Sequence, residues 1–379
     1  MPIDRERLKH NAAVRAGALL VLLLAVPCLF YPFICSRLPF ALCCAGEWHF
    51  PFWRNFFAPI GAEWGVEALG NYLALLILAL VIGKIAVPRR FFRPFAVGAA
   101  LLLLLPFVLV RGKLDTQNYR TLATQAEVRA VMAIIPYDAF ETAGRPGETP
   151  SFRHLLGCDD TGRDVAARLL AGGRVSLCVG VFATLIAVAL GCTVGLYAGY
   201  CGGTFDLLTM RLLEIVMCFP SFLLLLIIMA MLGDYHFEQS VPVVILILGL
   251  SGWMTIALLV RAQVLKERQL PYIESAMITG VPRRKILFGH LLPNVAPPVL
   301  IAAVFGMAGA ILAESGLSFL GFGVQAPAPS WGDLLRQAFD HPLRNWHLTL
   351  FPGLALFWAV FAFNLLGEGL RQVLAVKES

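Results

Sequence analysis

Two long uncharged runs, separated by a short basic interruption, constrain this chain more than any other feature. Gln239–Val260 and Leu291–Ala313 contain no Asp, Glu, Lys or Arg. Each exceeds the roughly 20 residues that an α-helix needs to cross a bilayer. Between them, residues 261–294 carry Arg261, Lys266, Arg268, Arg283, Arg284 and Lys285 against only Glu267 and Glu274. Such an excess in a short loop assigns it to the cytoplasmic side by the positive-inside rule. Composition agrees: of 379 residues, 59% are hydrophobic and 14% charged, as in an integral membrane protein rather than a soluble core. The net charge of +6 is spread over loops, whereas a nucleic-acid surface needs a clustered basic face.

The spacing predicts two short helices inside the interruption. Pro271 suits a first helical turn, where its missing N–H would be unpaired anyway. Ile273, Ala276, Met277 and Gly280 then fall at i, i+3, i+4 and i+7, one apolar stripe on an otherwise polar element. Gly280 followed by Val281-Pro282 ends that helix, because glycine supplies the left-handed cap and proline cannot continue. Ile286, Leu287 and His290 resume helical spacing, and Leu291-Leu292-Pro293-Asn294 leads into the next span. By spacing alone this is either an ordinary surface helix or one whose apolar stripe docks into a groove of another protein.

Glu274-Ser275-Ala276, Gly280 and Leu292-Pro293 resemble the EAA loop of ATP-binding cassette (ABC) importer permeases. Arg283-Arg284-Lys285-Ile286 and His290-Leu291-Leu292-Pro293-Asn294 look like the dipeptide and oligopeptide (peptide/nickel) branch of that family, C-type subunit. Ser275 stands where the family usually has alanine; both are small, so packing is expected to survive. The resemblance implies an all-α integral membrane protein with a six-span permease core. It also implies an ATPase-coupling loop made of Tyr272, Ile273, Glu274, Ser275, Ala276, Met277, Gly280, Arg283, Arg284, Leu292 and Pro293. The partners so implied are a homologous permease subunit in a heterodimer, two ABC ATPase subunits, a solute-binding protein and a peptide substrate. ATP and Mg would be used by the ATPase subunits, leaving no cofactor, metal or catalytic residue to this chain. Relatives in the same family carry nickel complexes or peptide-like antibiotics. The expected location is the bacterial inner membrane, multi-pass, with both termini cytoplasmic.

Taken in order, the chain divides into segments 1–35, 36–150 and 151–379. Arg5, Arg7, Lys9 and Arg15 precede the uncharged run Ala16–Cys35, which has no small-residue cleavage site after it and reads as a retained anchor. Ser36–Ala68, with Trp48, Trp53 and Trp64, suggests an interfacial segment. An extra hairpin is expected at 69–111, with Lys84, Arg89, Arg90 and Arg93 at a cytoplasmic tip, a re-entrant or interfacial hairpin being the alternative for two such short runs. The prolines and glycines between 144 and 162 argue for loop. Asp159, Asp160 and Asp164 lack the spacing of a calcium loop. His154–Val165 resembles the segment before the transport core of dipeptide and oligopeptide permeases, and Ser315–Gly323 with the Pro-Ser-Trp-Gly at 329–332 matches their pattern.

Val175–Phe205 is uncharged and longer than one span, so a loop is expected within it, with Gly191, Gly195 and Gly199 on one close-packing face. Gly202-Gly203 make a turn, Asp206 and Arg211 lie at the cytoplasmic edge, and Ile215–Gly233 crosses back. Ala302, Gly306 and Ala310 suggest a second close-packing face. Glu314, at a span end, is expected at the interface, because burying an ion in hydrocarbon is costly; a buried one would mark a pathway residue. Leu348–Gly367 is the last span, followed by Glu368, Arg371 and Lys377. The runs make about eight spans: six in the family pattern and the hairpin.

No G-x-x-x-x-G-K-[ST] phosphate loop, H-E-x-x-H or G-x-S-x-G occurs, so catalysis by this chain alone is not expected. Leu170–Arg174 superficially resembles an ABC signature and reads as a helix-to-span junction. Of the nine cysteines, Cys28, Cys178, Cys192 and Cys218 lie in apolar runs and act as small hydrophobes. Cys35, Cys43 and Cys44 lack the His/Cys spacing of a zinc site. A stand-alone secondary transporter would need mid-span carboxylates or histidines, and these runs hold essentially none.

Overall fold

A computed structural model of the chain describes residues 10–44, 47–59, 64–88, 91–112, 117, 119–122, 128–235 and 239–375. Arg5, Arg7, Lys9, Arg89, Arg90, Lys377 and residues 236–238 lie outside them. Among the described residues, 7 helices are long and apolar enough to cross a membrane, or up to 8 if one bent pair is a single span. The helices that matter below are α1 (Ala12–Leu29), α2 (Trp64–Ala86), α3 (Phe92–Leu109), α4 (Val165–Cys201), α5 (Gly203–Met217), α6 (Ser221–Asp234), α7 (Val241–Glu267), α8 (Pro271–Ile278), α9 (Leu292–Phe319) and α10 (Trp346–Ala375).

Two spans differ from the sequence reading. The expected crossing Ile215–Gly233 is broken: α5 stops before Cys218, α6 starts after Pro220, and the two bend by 82°. Pro220 lacks the N–H that would continue the helix and drives the residue before it out of the α region. The expected loop within Val175–Phe205 is absent, since α4 runs unbroken from Val165 to Cys201. It therefore also contains Leu170–Arg174, through which the first turns of α4 pass without a break into the uncharged run. The chain turns only at Gly202 and Gly203, both with positive φ (65° and 62°).

Contacts divide the chain into two compact units whose boundaries cut across the segments 1–35, 36–150 and 151–379. The first comprises Ser176–Val324 with the described residues up to Leu24 and from Leu354 on. In it, α4 lies against α7 on the glycine face foreseen from the sequence. A Cβ on Gly195 would sit 2.6 Å from the Ala257 carbonyl oxygen, and one on Gly191 2.6 Å from the Ile256 Cβ. The first span joins the same unit. A Cβ on Gly17 would meet the Leu366 backbone nitrogen at 2.5 Å, and the Trp358 indole N–H donates to the Leu20 carbonyl at 3.1 Å. The buried centre collects Cys192, Leu196 and Tyr200 of α4, Ile256, Val260 and Val264 of α7, and Val295 and Val299 of α9.

The second unit comprises Ala25–Val175 and Gln325–Gly353. Here the expected interfacial stretch after the first span builds secondary structure. Strands β1 (Ala41–Cys44), β2 (Glu47–His49) and β3 (Val128–Val131) form an antiparallel sheet in the order β2-β1-β3. A short helix, Pro51–Phe57, buries Phe52 and Phe56, while Trp48 and Trp64 stay exposed. The extra hairpin forms as α2 and α3, joined by a hydrogen bond from the Tyr72 hydroxyl to the Ala100 carbonyl (3.1 Å). Phe107 of α3 meets Phe57 edge-on at 5.3 Å, so the hairpin packs on its own unit's aromatic cluster.

Residues 144–164 are irregular, as expected, yet tightly tied. Asp159 pairs with Arg163 (2.8 Å) and Arg168 (3.3 Å), and Arg168 also reaches Asp333 (2.9 Å). Gly172 and Gly173 make room for the Pro-Ser-Trp-Gly segment: a Cβ would lie 3.2 Å from the Ser330 backbone and 2.7 Å from the Trp331 ring. The Trp331 indole N–H donates to the Leu169 carbonyl at 3.0 Å. All nine cysteines are free; Cys28 and Cys192 are buried, whereas Cys218, beside the helix break, is exposed.

Candidate functional site

The basic interruption folds into a compact connector between α7 and α9, inside the first unit. Leu270 is extended (φ −82°, ψ 142°) and Pro271 opens α8 at its first turn. Two hydroxyls bond back along the helix, Ser275 to the Pro271 carbonyl (2.8 Å) and Thr279 to the Ser275 carbonyl (2.8 Å). Gly280 (φ 76°) ends it. Its N–H donates to Met277 and that of Val281 to Ala276, both at 3.1 Å, the paired bonds of a Schellman cap. Beyond Pro282 the chain re-enters helix at Arg283–Lys285 and passes through a π turn, Ile286–Leu291, into α9. Single π turns inside helices recur at functional sites.

The apolar stripe of α8 does not act as one surface. Ile273 is fully buried, and Ala276 and Val281 pack beside it, against Tyr200, Ile286, Leu287 and Leu291 of the same chain. Met277 and Gly280 lie exposed. Of the stripe that sequence spacing assigns either to an ordinary surface helix or to a docking element, Ile273 and Ala276 root the helix in its own unit, where an apolar floor covers them, and Met277 and Gly280 face outward. The outward face carries Tyr272, Glu274, Ser275, Met277 and Ile278, with Ile278 86% exposed. Arg283, Arg284 and Pro293 are exposed and Leu292 is half-buried. Ile278 escaped the sequence reading, since it falls outside the i, i+3, i+4, i+7 pattern.

Polar contacts fix the connector to both flanking spans. Asn294 of α9 donates to the Tyr272 hydroxyl at 2.6 Å, and that hydroxyl donates to the Glu267 carboxylate of α7. Partial burial and the bond to Glu267 push the Tyr272 phenol up to about 12, so it stays a donor at neutral pH. Arg261 of α7 forms a two-pronged pair with Asp206 of α5, one prong at 2.7 Å. Asp206, Glu267 and Asn294 were not singled out as site residues; only their bonds across elements reveal them.

Two expectations on α9 are corrected. Glu314 is fully buried, not interfacial, and accepts hydrogen bonds from Ser176 (2.9 Å), Ser318 (2.7 Å) and Ser315 (3.3 Å). Hydroxyl donors offset the cost of its burial. Ala302 packs beside the α4–α7 cluster, but the face it shares with Gly306 and Ala310 is not closed along its length. The three line a cavity of about 460 Å³ with Thr184, Ser251 and Thr255, where a Cβ on Gly306 would first touch Thr184 at 3.5 Å.

Residues 191–377 match the family described as binding-protein-dependent transport system inner membrane component. A glutathione transport system permease protein of Pectobacterium atrosepticum is 39% identical over 246 residues, covering 64% of this chain and 80% of that protein. An oligopeptide transport system permease protein of Haemophilus influenzae is 38% identical, over 59% of this chain and 71% of that one. A dipeptide transport system permease protein of Alkalihalophilus pseudofirmus is also 38% identical, over 60% and 73%. With that identity spread over most of each relative and the connector built on the same unit that the family match covers, the chain belongs to the binding-protein-dependent inner membrane components, the membrane permease subunits of ABC importers.

Proposed function

We propose that this permease subunit carries peptides or small peptide-like compounds inward, and that α8 is the contact through which separate ATPase subunits drive it. The observation that carries the coupling role is the two-faced character of α8. Its outer face offers Tyr272, Glu274, Ser275, Met277 and Ile278 to a partner, while Ile273 is clamped among α4, α7 and the π turn. A push on the outer face therefore moves packed spans as bodies, the kind of rigid-body step that alternating access requires. Glu274, Arg283 and Arg284 are exposed, with no side-chain partner among the described residues, and supply polar contacts at the rim.

Peptide cargo rests on the names of the relatives, which include oligopeptide, dipeptide and glutathione systems. The cavity beside Gly306 is lined by apolar residues both small and large, Phe305 and Leu225 among them, with hydroxyls from Thr184, Ser221, Ser251 and Thr255 and no charged side chain, a lining that suits a polar but uncharged backbone. ATP and Mg belong to the ATPase subunits in this reading, and a second, homologous permease and a solute-binding protein complete the assembly.

The test is capture of the ATPase subunits by the full chain, with Ile278→Asp and Ile273→Asp compared. Ile278→Asp is expected to lose the ATPase at unchanged membrane yield, because a charge on an exposed contact spares the fold. Ile273→Asp is expected to lower the yield of folded chain itself, since it buries a carboxylate in an apolar cluster. Undiminished capture and uptake with Ile278→Asp would remove α8 from the coupling contact.

A further inference from the structure

We propose that Glu148, His154 and Cys158 form a binding site for one zinc-class divalent cation, which clips the irregular loop 144–164. One donor atom from each lies within 4.8 Å of the others. They converge on one place: a Cβ built on Gly144 would run into Cys158 Sγ, with His154 Nε2 at 3.0 Å and Glu148 Oε2 at 3.4 Å. Gly144, having no side chain, lets the three donors gather beside its backbone with nothing between them.

His154 carries the independent signal. It is 1% exposed, and its Nδ1 lies 2.9 Å from an Asp164 carboxylate oxygen. An ionised carboxylate only accepts, so Nδ1 holds the hydrogen and the Nε2 lone pair points into the cluster. Buried Nε2 has no hydrogen-bond partner among the described residues. Such an arrangement, carboxylate to imidazole to open donor position, is how metal-binding histidines are oriented. The ring is held further by Tyr137, with centroids 4.4 Å apart, and Asp164 is itself fixed by accepting from Ala167 N (2.9 Å) at the start of α4. Backbone bonds join the other two ligand residues, Cys158 N donating to the Glu148 carbonyl at 2.8 Å.

The donor set selects the ion. Sulfur and imidazole nitrogen favour zinc over magnesium or calcium, which prefer all-oxygen sites. Zinc bonds of 2.0–2.3 Å hold ligand atoms about 3.3–3.7 Å apart, so the cluster closes by roughly 1 Å on binding. Half-buried Glu148, whose carboxylate oxygens accept from Arg145 N (3.2 Å) and the Ser151 hydroxyl (3.4 Å), is the most exposed of the three ligands and the one that makes that move. A clip of this kind would order a segment that has almost no regular secondary structure.

The full chain in detergent, stripped with a chelator and repleted with zinc alone, should retain one zinc per chain after desalting. Cobalt titrated in its place should give a thiolate-to-metal absorption band. Cys158→Ser should abolish the band and weaken zinc binding at least tenfold, while Cys43→Ser leaves both unchanged. Asp164→Asn keeps the helix cap, as Asn caps about as well as Asp, but should weaken binding 10- to 100-fold through the histidine. If Cys158→Ser fails to fold, Glu148→Gln, at a half-buried position, should weaken zinc binding at least tenfold while the thiolate band persists at saturating cobalt. Zinc retention by the stripped and repleted chain no greater than that of the variants, or a cobalt spectrum indifferent to Cys158, overturns the proposal.

Discussion

At the scale of single residues, backbone stereochemistry decides more than contact. Gly280 has nothing within 4 Å of where a Cβ would stand, yet its φ of 76° belongs to the left-handed region. Alanine there pays about 1–2 kcal/mol. Gly280→Val should cost more, since β-branching restricts the backbone further. We expect the valine variant to insert normally and to reach the same expression level. Its α8 cap should loosen, and substrate uptake should fall several-fold; uptake equal to the parent chain's would detach the cap from coupling. This glycine was legible in the sequence because Gly-Val-Pro after an apolar stripe has one helix-ending solution. Glu314 was not legible: a carboxylate at the end of an apolar run says nothing of the serines that meet it, and Ser176 lies 138 residues away along the chain.

Between elements, the same residue type has opposite consequences according to what faces it. Gly195→Ala would place a methyl 2.6 Å from the Ala257 carbonyl oxygen, forcing α4 off α7. Gly309, in α9, has no atom within 4 Å of its Cβ position. Replacing it by alanine should stabilise the helix by up to about 1 kcal/mol through propensity alone. Thermal unfolding in detergent should therefore shift down for the first variant and level or up for the second. The glycine spacing in α4 announced a close approach, and the structure supplies one. The Ala302–Gly306–Ala310 spacing announced the same, and Ala302 does pack beside that cluster, but the face as a whole lines a cavity, because small residues permit contact without requiring it. The split stripe of α8 has a related cause: periodicity identifies an apolar face but not which chain covers it.

For the molecule as a whole, the count of crossings makes a topological prediction. Length and composition allow up to 8 crossings when α5 and α6 are taken as one bent span, and if all of them cross, the count predicts labelling of the α2–α3 tip and of α8 from the same side. On a chain stripped of its nine cysteines, Ala86→Cys and Ile278→Cys should be labelled by an impermeant thiol reagent from the same side. Labelling from opposite sides would mean that one of the helices between them does not cross. The sequence by itself determined that the chain is a helical membrane protein, where its basic connector lies, and which family it resembles. Uncharged run length and loop charge are local properties that the bilayer reads directly. Only the tertiary structure decided that α4 is unbroken, that Ile273 faces inward, that Glu314 is buried among serines, and that Glu148, His154 and Cys158 converge on Gly144. Each of those depends on what a distant segment places opposite the residue, and no window along the chain contains that information.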